Sequence, residues 1–181
     1  MPLTRADIVA GALDLLDEVG LDALSTRRLA ERLGVQGPSL YWHVKTMAEL
    51  RDHMAETLIA EAFAAVDWAG IGRDWRRRLA EGARAYRRAA LSRRDGARLL
   101  SDARPTGARE GLSYPAMLGE LRQAGFGPEA AHDAMMAVGR YVTGWALYEQ
   151  GVDAANRERG FEFGLTALLD GLDRALRRSV A

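Results

Sequence analysis

The sequence predicts an all-α protein. Alanine, leucine and arginine, with 32, 24 and 24 copies, dominate the 181 residues, whereas isoleucine, valine and threonine together number only 19. The first three favour helices, and the β-branched residues favour strands. Apolar residues also recur at spacings of three and four along most of the chain, which is the period of a helix buried on one face. Hydrophobic residues make up 48% of the chain, enough to bury a substantial core.

The composition excludes several classes of protein. The chain contains no cysteine, which removes disulfide frameworks, thiolate metal sites and thiol nucleophiles. Its first residues show no secretory signal pattern, and no apolar run approaches the roughly 18 residues of a membrane span. Basic and acidic residues balance at 25 each, so only local patches can attract an anionic partner. We therefore expect a cytoplasmic protein with no membrane partner.

Four helices are predicted in the first 65 residues, over 4–19, 26–33, 38–43 and 47–65. Their boundaries carry the residues that start and stop helices. The starts are the capping-box pair Thr4 and Asp7, Ser25, Pro38, and the second capping-box pair Thr46 and Glu49, and the stops are Gly20 and Gly34. The two short helices, at 26–33 and 38–43, are joined by a four-residue turn containing glycine.

A second helical region follows a predicted loop at 66–73, where Gly70 and Gly72 interrupt the pattern. Asp95 is predicted to cap a short helix, and Pro115 either starts its helix or kinks one that begins earlier. The helices predicted here cover 75–90, 95–101, 116–124, 128–150 and 161–176.

The two short helices, packed on a longer preceding one, predict a helix-turn-helix, whose second helix lies in the DNA major groove. Residues 25–46 carry four basic side chains against Glu31 alone, whereas residues 7–22 carry five acids and no base. One side of the head can therefore face phosphates. Tyr41, Trp42 and His43 are consecutive, so at least one is exposed, although Tyr41 or Trp42 could instead pack in the head's core.

The same residues resemble the TetR family of transcriptional repressors, and specifically its tetracycline-repressor-like branch. The head reads ALSTRRLA at 23–30, LGV at 33–35 and PSLYWHVK at 38–45. The likeness continues in the body, through DGA at 95–97, RPT at 104–106, AVG at 137–139 and FGL at 163–165. It thus covers most of the chain.

The resemblance implies a set of operator contacts. Arg27, Pro38, Tyr41 and Trp42 would touch the operator, with Thr26, His43 and Lys45 on its phosphate backbone. The position at which the family has a base-reading glutamine holds Gly37, which has no side chain. Gln36 and Ser39 therefore become the candidates for direct base contact, and glutamine suits adenine.

The resemblance also implies an effector cavity between the body helices. The expected lining is Phe63, Gly82, Tyr86, Leu100, Arg104, Pro105, Met117, Met135, Trp145 and Tyr148. Leu100 and Tyr148 stand where the family has its metal-binding histidine and glutamate, and Phe63 and Gly82 where it anchors the antibiotic. We therefore expect no metal site, no cofactor and no response to magnesium-tetracycline. The expected effector is hydrophobic or aromatic, with an acidic group facing Arg104.

These observations predict a repressor that leaves a palindromic operator when its effector binds. The predicted organisation is a helix-turn-helix DNA-binding domain at 1–46, a connecting helix at 47–65, and an effector-binding and dimerisation domain at 66–181. The last two long helices are the expected homodimer interface, because Gly139 and Gly144 permit close approach and leucines form a stripe on the final helix.

Two other classes of protein compete with this prediction. An enzyme is not predicted, because His43, His53 and His132 share no metal-binding spacing and no nucleophile or phosphate-binding motif is present. The alternative is a helical module that binds small molecules or proteins but not DNA. Residues 73–98, with ten arginines against three acids, would be its interaction surface.

Overall fold

The computed structural model describes residues 3–103, 114–151 and 157–180, which form ten helices and no strand. The head contains α1 (Arg5–Val19), α2 (Thr26–Leu33), α3 (Gly37–Tyr41) and α4 (Met47–Ala64). The body contains α5 (Trp68–Ile71), α6 (Trp75–Leu91), α7 (Gly96–Asp102), α8 (Tyr114–Gln123), α9 (Pro128–Gly151) and α10 (Arg157–Val180). The predicted all-α class is confirmed. In these ranges no helix combines the length and apolar character of a membrane span.

Local capping chemistry fixes the ends of the first two helices as predicted. The Thr4 hydroxyl accepts from the Asp7 backbone at 3.2 Å, and the Asp7 carboxylate accepts from the Thr4 backbone at 2.9 Å. At α2, the Ser25 hydroxyl accepts from the Arg28 backbone, and Gly34 ends the helix at φ 65°. That left-handed conformation favours glycine.

The second predicted capping box is only half formed. The Thr46 hydroxyl accepts from the Glu49 backbone at 3.0 Å, but the Glu49 carboxylate accepts from the Lys45 backbone, at 2.7 Å, instead of from Thr46. Lys45 lies between α3 and α4, where its N–H lacks a helical partner, so the carboxylate closes the turn before α4.

The prediction that Asp95 caps α7 is confirmed for its position and wrong for its side chain. Asp95 occupies the N-cap position at φ 54°, but its side chain makes no capping bond. Its carboxylate accepts from the Leu21 backbone at 2.8 Å, because the turn before α7 packs on the end of α1. A Cβ atom at Gly20 would lie 2.9 Å from the Asp95 carboxylate, so the head and body meet closely here.

Three other element boundaries differ from, or refine, the predictions. The predicted loop at 66–73 contains the single turn α5, because the Asp67 carboxylate accepts from the Gly70 backbone at 2.9 Å. The described part of helix α8 starts at Tyr114, with Pro115 as its second residue, and the choice between a start and a kink at Pro115 involves residues outside the described ranges. The described part of the final helix starts at Arg157, so this helix includes four residues before the predicted start at Phe161.

The head and body share one hydrophobic core. Helix α4 packs most extensively on α6, and one cluster of buried residues runs from α1 through α4 to α6 and α7. A second cluster joins α6 to α8, α9 and α10. Helix α4 therefore belongs to the head at one end and to the body at the other.

The arginine-rich stretch at 73–98 is largely engaged within the chain. Ion pairs connect it to the head and to the last helices: Arg93 to Asp14 and Asp17, Arg98 to Asp22, Arg76 to Asp170, Arg78 to Glu120, Arg84 to Glu162 and Arg87 to Glu149. These side chains hold the helices together, which removes the main support for a separate protein-interaction surface there.

Candidate DNA-binding surface and effector cavity

Helix α3 presents aromatic side chains to solvent. Leu40 is 3% exposed and packs into the head's core, whereas Tyr41 is 54% and Trp42 is 88% exposed. The alternative in which Tyr41 or Trp42 joins that core is therefore wrong. Leu40 anchors the helix from below and leaves its two aromatic neighbours outside.

The other predicted DNA contacts lie on or beside the same surface. Thr26, Arg27, Pro38 and Tyr41 line a shallow groove of about 410 Å³ between α2 and α3. The remaining predicted contacts flank this groove along the chain, exposed at Gln36, Ser39 and Lys45 and half-buried at His43. The His43 carbonyl accepts from Arg5 Nε at 3.3 Å, which ties the end of α3 to the start of α1.

Charges around α2 divide between the two sides of the head. Arg27 and Arg28 are exposed, and Arg27 lies 3.5 Å from Glu31. Arg32 is also exposed, and it pairs with Glu18 at 2.5 Å across to α1. It stabilises the packing of α2 on α1 and is not directed towards the groove.

Glycine allows that packing to be close. A Cβ atom at Gly11 would lie 2.7 Å from Leu33 Cδ2, so the absence of a side chain lets α2 approach α1. At Gly37, by contrast, an added Cβ would meet nothing within 4 Å, since this position faces open space at the start of α3.

A cavity of about 590 Å³ lies between α4, α6, α7, α8 and α9. Its walls include the predicted residues Phe63, Gly82, Tyr86, Leu100, Met117 and Met135. A Cβ atom at Gly82 would lie 3.2 Å from Met117 Cε, so this glycine makes room for a methionine in the wall. Burial raises the pKa of the Tyr86 hydroxyl, and its hydrogen bond with Thr143 partly offsets that rise.

Trp145 and Tyr148 lie outside this cavity, so their predicted placement is wrong. The Trp145 ring contacts α10, where a Cβ atom at Gly160 would lie 2.7 Å from it, and its Nε1 donates to Glu149 at 3.0 Å. Tyr148 is exposed and lies against the Trp145 ring. A helix turns by about 100° per residue, so both positions point away from the cavity face at Thr143. Arg104 and Pro105 lie outside the described residues.

Sequence reasoning missed the polar lining of the cavity. These residues are Glu56, Ser101, Arg140 and Thr143. Helical spacing could have found two of them: Arg140 follows Met136, which also lines the cavity, by four positions, and Glu56 precedes Phe63 by seven. Within the described part of the chain, no three His, Asp or Glu side chains group together as a metal site.

The helix-turn-helix head exposes aromatic and basic residues, and it shares a core with a helical body that encloses a largely apolar cavity. This is the architecture of a ligand-responsive DNA-binding regulator. Two family descriptions match the chain: "Bacterial regulatory proteins, tetR family" over residues 8–54, and "Tetracyclin repressor-like, C-terminal domain" over residues 71–160.

Individual relatives agree with this. The class A tetracycline repressor from transposon 1721 of Escherichia coli is 44% identical over 154 residues, which span 84% of this chain and 70% of the relative. Apo ActR from Streptomyces coelicolor is 30% identical with a TM-score of 0.85, covering 99% of each chain. A TetR-Q116A variant from Acinetobacter baumannii AYE, solved in complex with minocycline, is 38% identical with a TM-score of 0.79, covering 96% of this chain and 98% of the other.

The chain belongs to the TetR family and is a ligand-responsive transcriptional repressor. Members of this family are regulators that bind operator DNA and small-molecule effectors and act as dimers. The alternative of a helical module that does not bind DNA is not favoured.

Proposed function

We propose that a homodimer of this protein occupies a palindromic operator and leaves it when a small hydrophobic or aromatic effector fills the cavity. The observation that carries the proposal is that α4 contributes both to the core of the head and to the wall of a largely apolar cavity of about 590 Å³. A volume of this size fits drug-like ligands. The proposed division is a DNA-binding domain at 1–46, α4 as connector, and an effector and dimerisation domain after it.

The exposed surface of α2 and α3 would contact the operator. In this proposal Trp42 and Tyr41 lie against the DNA, with the phosphate partners Thr26, Arg27, His43 and Lys45 around them. Gln36, directly before α3, and Ser39, within it, are both exposed and would read bases, because Gly37 between them offers no side chain.

Exposed apolar side chains on α9 and α10 support a dimer. Phe163 is 78%, Tyr148 54% and Leu147 36% exposed in the single chain. In this proposal a second copy of the chain would cover these apolar side chains. A two-fold pair of heads would reach half-sites about 34–36 Å apart, and the regulated DNA would lie in the cytoplasm.

Coupling between the sites would run through α4. Its residues Leu50 and Met54 are buried in the core of the head, and Ile59 and Phe63 line the cavity. An effector that prefers one position of α4 must weaken DNA binding by the same differential affinity, typically about 1–3 kcal/mol. The separation of the two heads would then no longer match the operator.

The effector response is expected to be independent of magnesium. Leu100 lines the cavity but cannot ligate a cation, and Tyr148 lies outside it. We expect hydrophobic aromatic compounds to release a fluorescent operator duplex equally with and without Mg²⁺, as measured by anisotropy. Tetracycline is expected to release none at either magnesium concentration.

The control for this experiment is the comparison of EDTA-treated with Mg²⁺-supplemented protein, because the two samples differ only in the metal. Release by tetracycline that requires Mg²⁺ would contradict the proposed effector class. Failure of every hydrophobic compound to release the duplex would contradict the proposed ligand control.

A further inference from the structure

One acidic side chain lies in the groove between α2 and α3, on the surface proposed to bind DNA. Glu31 lines this groove together with Arg27, Pro38 and Tyr41. It is the only acid among residues 25–46, which carry four basic side chains. Phosphates repel a carboxylate, so at this place Glu31 lowers the affinity for any duplex. An acid that weakens binding to all sequences can still raise selectivity, if it controls a residue that reads bases.

Glu31 contacts the guanidinium of Arg27. The two residues are four positions apart on α2, and Arg27 Nη1 lies 3.5 Å from Glu31 Oε1. Among the residues that the structure describes, Arg27 has no other ion pair or side-chain hydrogen bond. The Arg27 side chain is 80% and the Glu31 side chain 62% exposed, so in the free protein water screens the contact and it contributes little to stability. Against a duplex part of that water is displaced, and the same contact becomes stronger.

An arginine held at one nitrogen directs its remaining donors along a fixed line. A free arginine can turn to a phosphate or to any base, whereas a fixed planar fork of two N–H donors suits the O6 and N7 acceptors of guanine. Base reading by α3 has a gap at Gly37, because this residue has no side chain and an added Cβ atom would meet nothing within 4 Å. Gly37 and Arg27 line the same groove, so Arg27 is placed to supply part of the missing recognition.

We propose that Glu31 is a positioning residue that makes Arg27 selective for guanine. The carboxylate holds the fork towards one base pair of each half-site and disfavours its turn to a phosphate. This lowers the affinity for non-specific DNA and increases the difference in affinity between the operator and other sequences. The inference rests on the proposed function and refines it: Arg27, a phosphate partner by residue type, becomes a base-reading residue through Glu31.

Selection from random DNA duplexes by the wild type, Glu31→Gln and Arg27→Lys tests this role. At one base pair of each half-site we expect the wild type to prefer guanine at least about tenfold over the other bases. In both variants this preference is expected to fall below about threefold at that same base pair, since lysine keeps the charge but lacks the fork. Glu31→Gln should also bind a duplex of scrambled sequence at least about twofold more tightly, as measured by anisotropy.

The matched control is Glu61→Gln, which removes an acid from an exposed position of α4 outside the groove and should change neither result. The double variant of Arg27→Lys and Glu31→Gln should lose no more base preference than Arg27→Lys alone, because Glu31 acts through Arg27.

Three outcomes would overturn the inference alone: an unchanged base preference in Glu31→Gln, a loss at a base pair that Arg27→Lys leaves unaffected, or no gain in affinity for the scrambled duplex. Failure of the wild type to select any site is a different result, because it contradicts the proposed function and the inference together.

Discussion

Replacing Trp42 with alanine is expected to weaken operator binding by about 30-fold or more, because a contact of this kind contributes roughly 1–2 kcal/mol and a dimer loses it twice. The free energy of unfolding should stay within about 0.5 kcal/mol of the wild type, since the side chain is 88% exposed. Anisotropy of a labelled operator duplex at fixed salt measures the first quantity, and urea denaturation measures the second.

The conservative control is Trp42→Phe, which keeps an aromatic ring at the same place and is expected to retain most of the binding. Unchanged affinity in the alanine variant would show that α3 does not carry the DNA contact. A large loss of stability would show instead that the ring is part of the fold.

Replacing Arg87 with methionine is expected to lower the free energy of unfolding by about 3–5 kcal/mol, because it leaves a buried carboxylate without its cation. The Arg87 guanidinium donates to both oxygens of Glu149, at 2.9 and 2.8 Å, and the Glu149 side chain is 1% exposed. Methionine keeps most of the volume, so the cost comes mainly from the charge. Urea denaturation at neutral pH measures it.

Two further variants isolate that cause. Adding Glu149→Gln to Arg87→Met removes the stranded charge and keeps an acceptor for Trp145, so it should restore at least half of the loss. Arg77→Met breaks a contact with Asp74 of 3.7 Å between side chains 75% and 49% exposed, and should cost less than about 1 kcal/mol. Equal losses in Arg77→Met and Arg87→Met would contradict this account.

The pH dependence of the Arg87→Met loss has a definite sign. Burial, the largest influence, would raise the pKa of Glu149, but the bonds from Arg87 and Trp145 outweigh it, so the pKa lies below its usual value. Its ionised form therefore stabilises the wild type above the unfolded pKa of about 4.3, and this contribution disappears as the pH falls. In Arg87→Met burial raises the pKa instead, so the penalty is largest at neutral pH. The difference in the free energy of unfolding between the wild type and Arg87→Met should therefore become smaller from pH 7 to about pH 4.5.

Local signals in the sequence predicted most of the head. Thr4, Ser25 and Gly34 act on neighbours within a few positions, so the ends of α1 and α2 were readable without the fold. The exposure of an aromatic residue in α3 also followed from geometry alone, because consecutive side chains of a helix cannot all point inward.

The wrong predictions concern side chains whose contacts are set by parts of the chain that are distant in sequence. Asp95 has the right residue type for a cap, but the Leu21 backbone, far away in sequence, takes its carboxylate. Trp145 has the chemistry of a cavity residue, but the rotation of α9 directs it to α10. Glu56 was missed because a polar residue in an apolar stripe reads as surface, although the packing of α4 on the body turns it inward.

The central claim is that a homodimer binds a palindromic operator. It is tested most directly by letting the wild-type protein select tight-binding sites from a pool of random DNA duplexes. The account predicts a palindromic winner with half-site centres one helical turn apart, about 34–36 Å, bound by one dimer. Enrichment of a site without two-fold symmetry, or no enrichment above a non-specific duplex at physiological salt, would contradict it.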